Sequence, residues 1–87
     1  MKYVRTLTSS EASAHFVLIG YLYRDEFPPM DKKFKVKHSN REYEARIDYK
    51  NRMWLGRTNT LDWKRGSVFQ LEKHSTELFS IHQVMMP

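Results

Sequence analysis

Two pairs of stretches in this chain alternate apolar and polar residues with a period of two, and this constrains the fold more than any other feature. In "KKFKVKHS" (32–39) Phe34 and Val36 fall on one side, and Lys33, Lys35 and Lys37 on the other. In "REYEARIDY" (41–49) Tyr43, Ala45, Ile47 and Tyr49 alternate with Glu42, Glu44, Arg46 and Asp48. "SVFQLEK" (67–73) and "ELFSIHQV" (77–84) repeat the pattern on either side of "HST". Successive side chains leave a strand on opposite sides, so such runs are strands with one face on a core and one in water. "SN" (39–40) and "KN" (50–51) suit turns. Two hairpins are therefore expected. In the first, outward lysines would oppose outward glutamates, and each such cross-strand pair contributes roughly 0.2–1 kcal/mol. Tyr43 and Tyr49 would face the core.

The remaining segments read less directly. "KYVRTLT" (2–8) fits a first strand, with Tyr3, Arg5 and Leu7 on one face and Val4 on the other. "TSSE" (8–11) has the capping-box pattern, in which Thr8 and Glu11 each satisfy the other's backbone N–H. It predicts a helix over about 9–15. "HFVLIGYLY" (15–23) fits either a continuation of that helix or a buried strand, with Gly20 a plausible break. "FPP" (27–29) is the clear interruption, because proline fixes its own φ and disfavours helix before it. "RMWLGRT" (52–58) is expected to be a strand with an irregularity at Gly56. "NTLDWKRG" (59–66) reads as a helical turn capped by Asn59 or Thr60 and stopped by Gly66. A small, strongly bent sheet avoids exposed edges by closing on itself. The expected fold is therefore mainly β with short helices (α+β), a small open β-barrel, with residues 1–87 forming one domain.

Composition excludes several classes. The 87 residues include no cysteine, which removes disulfide scaffolds, zinc ribbons and cysteine nucleophiles and fits a reducing, cytoplasmic setting. No stretch reaches the roughly 20 apolar residues that span a bilayer. The net charge is +5, but its distribution matters more than its total. Residues 31–65 hold eleven Lys/Arg against five Asp/Glu, whereas the rest of the chain holds four against five. A basic excess confined to one region is the electrostatic footprint of a polyanion binder.

Little in the chain points to catalysis. The histidines at 15, 38, 74 and 82 are scattered, without HExxH spacing, so no metal site is expected. Glu42, Glu44 and Asp48 alternate on one strand face, where charge pairing explains them more simply than a metal-dependent nuclease centre does. There is no glycine-rich phosphate loop and no GxSxG. No cofactor is expected. The constellation left over is aromatic residues among basic ones: Tyr43, Tyr49, Trp54 and Trp63 between Arg41, Arg46, Arg52, Arg57, Lys64 and Arg65. Arginine can hold phosphates or read guanine, and aromatic rings can stack on unpaired bases. Trp63 reads as core. Trp54 is out of phase with Met53 and Leu55, so only one of those two sets can face inward.

The order of these features resembles the DNA-binding pseudobarrel superfamily, which includes plant B-three transcription-factor domains and the recognition domains of some restriction endonucleases. The likeness lies in "FPPMDKKFKVKHSNREYEARIDYKNRMWLGR" followed by "LDWKRGSVFQLEKHSTELFSIHQV", over about residues 16–84. Where the family often has Gly-Asp, this chain has Gly66-Ser67. The resemblance implies a seven-stranded open barrel gripping the DNA major groove with two arms, here around residues 5–10 and 52–59. The leading expectation is a non-catalytic double-stranded DNA-binding domain. Arg5, Arg52, Arg57 and Asn59 are candidates for base edges, and Lys50, Lys64 and Arg65 for phosphates. Trp54 is a stacking candidate if RNA or single strands are the ligand instead. A third reading is a protein–protein module whose basic face meets an acidic partner; a part in a larger restriction-type enzyme also fits.

Overall fold

The computed structural model describes residues 1–56 and 61–85. It is mostly β: seven strands form a nearly closed barrel, with only short helices. The elements are β1 (Lys2–Thr6), α1 (Ser9–Ala14), β2 (Phe16–Leu18), a 3-10 segment (Tyr21–Glu26), β3 (Phe34–His38), β4 (Arg41–Ile47), β5 (Arg52–Trp54), β6 (Val68–Ser75) and β7 (Leu78–Met85). Around the barrel the strand order is β1-β6-β7-β3-β4-β5-β2.

Both expected hairpins form. In β3–β4, Lys35 stands opposite Glu44 and Lys37 opposite Glu42, the register that opposed the outward charges in the sequence. In β6–β7 the register shifts at Val68/Phe69 and at Lys73/Ser75, and such irregularities bend a hairpin. β3 and β7 join the hairpins as a parallel pair. β4 is shared: Arg41–Ala45 pairs with β3, while Arg46 and Ile47 pair with β5. Inside, Phe27 stacks on Phe79 at 4.5 Å between centroids, with Phe34 edge-on to Phe79 at 5.4 Å. Val17, Val36, Ile47, Met53, Phe69 and Leu71 complete the sealed interior. Burying each such side chain contributes roughly 1.5–3 kcal/mol.

The capping box is present: Thr8 Oγ1 accepts from the Glu11 amide, and Glu11 Oε1 accepts from the Thr8 amide. The helix it starts is short. His15 at φ +65° stops it, and the ambiguous run after it becomes β2 and then the 3-10 segment.

Four expectations are corrected. Tyr49 does not face the core and is 74% exposed, because the chain leaves the strand after Ile47 and turns on Asp48. Asp48, expected outward, is buried. The helical turn over 59–66 is absent in its described part, 61–66. There Leu61 is buried and the Asp62 amide donates to Gln83 Oε1, a tertiary partner on β7. Gly66 at φ +89° does end this segment, donating to Leu7 O and entering β6. The strand expected over 52–58 ends at Trp54, and its residues 57–58 lie outside the described residues.

β1 and β2 are the two ends of the sheet, and side chains close the gap between them. Tyr3 on β1 donates its hydroxyl to Leu18 O at 2.6 Å and accepts from the Gly20 amide at 3.0 Å. Glu11 Oε2 accepts from the Leu18 amide at 2.8 Å, while Arg5 on β1 holds the same carboxylate through Nε and Nη2. Burial pushes the Glu11 carboxyl up, but the Arg5 guanidinium and the Leu18 and Thr8 amides outweigh it and hold it below its usual range. Burial raises the Tyr3 pKa, which keeps the phenol as a donor to Leu18. Among the described residues no helix is long and apolar enough to cross a membrane. Tyr3→Phe leaves the Leu18 carbonyl and the Gly20 amide without this partner. A loss of about 1–3 kcal/mol in urea denaturation is expected, with an unchanged m-value.

Candidate nucleic-acid interface

Strand direction sorts the barrel into two ends. Thr6 of β1 lies opposite Val68 of β6, and Val68 opposite Met85 of β7. His38, at the end of β3, meets Ile81 O through Nδ1 at 3.0 Å. One end therefore carries the β1–α1 connection, the 39–40 turn and the segment entering β6. The other carries the 48–51 turn, the β6–β7 turn and the 3-10 segment. Lys64 and Arg65 belong to the first end and Lys50 to the second. The expected phosphate contacts thus do not share one loop cluster.

Between the ends, β4, β5 and β2 present an outward row. Arg46, Trp54 and Phe16 are register neighbours across three strands, and Arg52 sits opposite Leu18 in the next row. Met53 and Leu55 take the core, so Trp54 is forced outward, where it is partly buried beside Phe16 at 5.1 Å between centroids. The Arg52 guanidinium lies 5.3 Å from the Trp54 ring and 5.6 Å from the Phe16 ring. Cation–π contacts of this kind contribute roughly 0.5–1 kcal/mol at exposed sites.

Asp48 organises this row. Its Oδ2 accepts from Arg52 Nε at 2.7 Å and from Trp54 Nε1 at 2.9 Å. Its Oδ1 accepts from the Lys50 and Arg52 amides, each at 3.0 Å. Asn51 at φ +60° completes the tight turn that this requires. Burial alone would push the carboxyl up. The hydrogen bonds from the Trp54 indole, the Arg52 amide and guanidinium and the Lys50 amide outweigh it and hold the pKa at about 2. Trp54 has thus committed its N–H and can offer a ligand only its ring.

The candidates fall into distinct situations. Arg5 and Arg52 are half-buried and ion-paired to buried carboxylates. Lys50 and Arg65 are exposed and have no ion pair among the described residues, while Lys64 reaches Asp62 at 3.5 Å. Arg57 and Asn59 lie outside the described residues. Trp63 stacks on His15 and packs edge-on against Phe69 at 5.1 Å, as a wall of the core. Much of the basic excess is neutralised nearby, by Lys32–Glu77, Lys33–Glu44 and Arg46–Asp31 pairs. Lys35, Lys37 and Arg41 have no ion pair among the described residues. Asp48 and Phe16 join the site only in the structure. The Asp48-to-Arg52 spacing across a turn was a signal for the first; nothing marked the second, which arrives through the β2–β5 pairing.

No protein-family model and no curated protein matches the chain. Among solved structures, it is similar to the N-terminal domain of Helicobacter pylori LlaJI.R1, with a TM-score of 0.73. The superposition covers 99% of this chain and 88% of that one, at 10% sequence identity. At that identity the likeness establishes a shared fold.

The Asp48 carboxyl is a stronger acid in the folded chain than its ordinary 3.8. The unfolded chain therefore takes up the proton first as pH falls, and this contribution, complete above about pH 4, is lost as pH drops through about 2. Asp48→Asn should have a smaller acid loss than the parent between pH 4 and 2, by about 2 kcal/mol, in urea titrations at each pH.

Proposed function

We propose that this chain is a non-catalytic, double-stranded DNA-binding domain, with residues 1–87 acting as one unit. The reading is supported by the fold likeness to the N-terminal domain of LlaJI.R1 over 99% of this chain, together with the order of sequence features that resembles the DNA-binding pseudobarrel superfamily. The cations without an ion pair add to it: Lys50 and Arg65 are suited to phosphates, and Lys35, Lys37 and Arg41 extend the same field. Lys64, already beside Asp62, is a weaker phosphate ligand. Arg52, Arg5, Arg57 and Asn59 are the candidates for base edges. Among the described residues one terminal nitrogen of Arg5 has no partner, but the side chain is first of all part of the barrel seam.

A second reading is favoured by one specific observation. Trp54 and Phe16 face outward as adjacent rings, the arrangement on which unpaired bases of RNA or single-stranded DNA stack. Tryptophan fluorescence separates the two. Quenching by single strands but not by duplex, abolished in Trp54→Phe, would favour the second.

For duplex binding, log K is expected to fall linearly and steeply with log salt, because phosphate contacts release counterions. Lys50→Ala or Arg65→Ala should each flatten the slope by about one unit and weaken all sequences alike. A salt-independent signal, or no binding at low salt, would sink the proposal.

A further inference from the structure

We infer that Asp48 and Arg52 form the sequence-reading element of this domain, with Arg52 taking a guanine edge in the major groove and Asp48 as the positioning residue that presents it. The inference rests on the duplex-DNA reading above and adds what this one side chain recognises.

Arg52 is held at two points. Its amide donates to Asp48 Oδ1 and its Nε to Asp48 Oδ2, so both ends of the residue are tied to one carboxylate. The guanidinium lies against two rings, Trp54 and Phe16, which restrict its plane. Trp54 is in turn anchored to the same Oδ2 through its indole N–H. Among the described residues, the two terminal nitrogens of Arg52 have no partner. A fork of N–H donors is therefore left over on a side chain whose rotamers are already ordered, so binding need not order them again.

Charge then decides what that fork suits. The carboxylate beneath it, held well below its ordinary range by these same hydrogen bonds, is ionised near neutral pH, so the Asp48–Arg52 unit is close to neutral. A neutral unit gains little from a phosphate and displaces few counterions. Its hydrogen-bond donors are undiminished, and the acceptors that match a guanidinium fork without needing net charge are O6 and N7 of guanine. Lys50 and Arg65, exposed and without an ion pair among the described residues, are the opposite case and suit phosphates. Two residues at one turn thus divide the work: Lys50 supplies attraction and Arg52 supplies discrimination.

The experiment selects duplexes from a randomised library with the full chain, then measures affinity for the selected duplex and for single-base changes of it. The parent chain should enrich a site containing a guanine whose replacement costs about ten-fold or more in affinity. Arg52→Ala should bring that discrimination to within about two-fold and leave the salt slope unchanged. Asp48→Asn should lose most of it too, and the double variant should lose no more than Arg52→Ala alone. Arg52→Lys, which keeps the charge and can still pair with Asp48, covers the case in which Asp48→Asn does not fold; it should bind but no longer discriminate.

Several results would overturn the inference. One is guanine preference surviving in Arg52→Ala. Another is a salt slope that flattens by about one unit in Arg52→Ala with base preference intact, which makes Arg52 a phosphate ligand. A third is an Asp48→Asn variant that weakens every sequence equally, which makes Asp48 purely structural. Duplex binding by the parent chain with no enriched site overturns the inference and leaves the proposed function standing. No duplex binding at all removes both, and is seen before any variant is made.

Discussion

The barrel depends on a seam that no backbone ladder closes. β1 and β2 end the sheet, and an unpaired strand edge exposes amides and carbonyls that need partners. Here both backbone groups of Leu18 find side chains instead: its amide meets Glu11 and its carbonyl meets Tyr3. Glu11 also caps α1 and accepts from Arg5, so one buried carboxylate joins a strand, a helix and a facing strand. Removing one member of such a set leaves the others buried and unmatched, which costs more than forming the set gains. The seam is therefore specific, and it admits no further strand.

A second buried carboxylate uses the same chemistry to a different end. Asp48, like Glu11, accepts from backbone amides and from an arginine. Glu11 joins elements distant across the seam. Asp48 instead ties a four-residue turn to the strand that follows it and fixes two outward side chains, Arg52 and Trp54. One carboxylate makes the barrel and the other sets part of its surface. The arginines of the two sets were equivalent as basic residues in the sequence. They differ in the structure because Arg5 faces the seam, whereas Arg52 lies on the outer side of β5.

The charge pattern has a similar division. The basic middle of the chain is not one continuous positive face, because Lys32, Lys33 and Arg46 meet Glu77, Glu44 and Asp31. Exposed pairs of this kind contribute about 0–1 kcal/mol to stability, but they cancel the positive field locally. Among the cations without such partners in the described residues, Lys50 and Arg65 lie at opposite ends of the barrel, while Lys35 and Lys37 lie along β3. Contact with an extended polyanion through Lys50 and Arg65 together would therefore run along the barrel rather than sit at one end.

Much of the fold was legible in the sequence because its cause is local. Alternation in 34–38 and 41–47 set the pleat, and with it the pairing of Lys35 with Glu44 and Lys37 with Glu42. The capping box at Thr8 and Glu11 needs only three residues of spacing, so it too could be read directly. The site was less legible. Trp54 could be called inward or outward from sequence alone, and the burial of Met53 and Leu55 decided it. Tyr49 followed the inward phase on paper, but phase holds only while the strand lasts, and the strand ends at Ile47. Asp48 looked like one of several solvated acids. Its burial depends on donors from Lys50, Arg52 and Trp54 that converge only once the turn has formed. The sequence by itself determined the hairpin strands, the β3–β4 register and the helix start, because these follow from side-chain period and near-neighbour hydrogen bonds. Only the tertiary structure decided the parallel β3–β7 pairing, the side-chain seam and the Asp48–Arg52–Trp54–Phe16 cluster. Each of these joins residues whose sequence carries no mark of the other, and it is packing around a common core that brings them together.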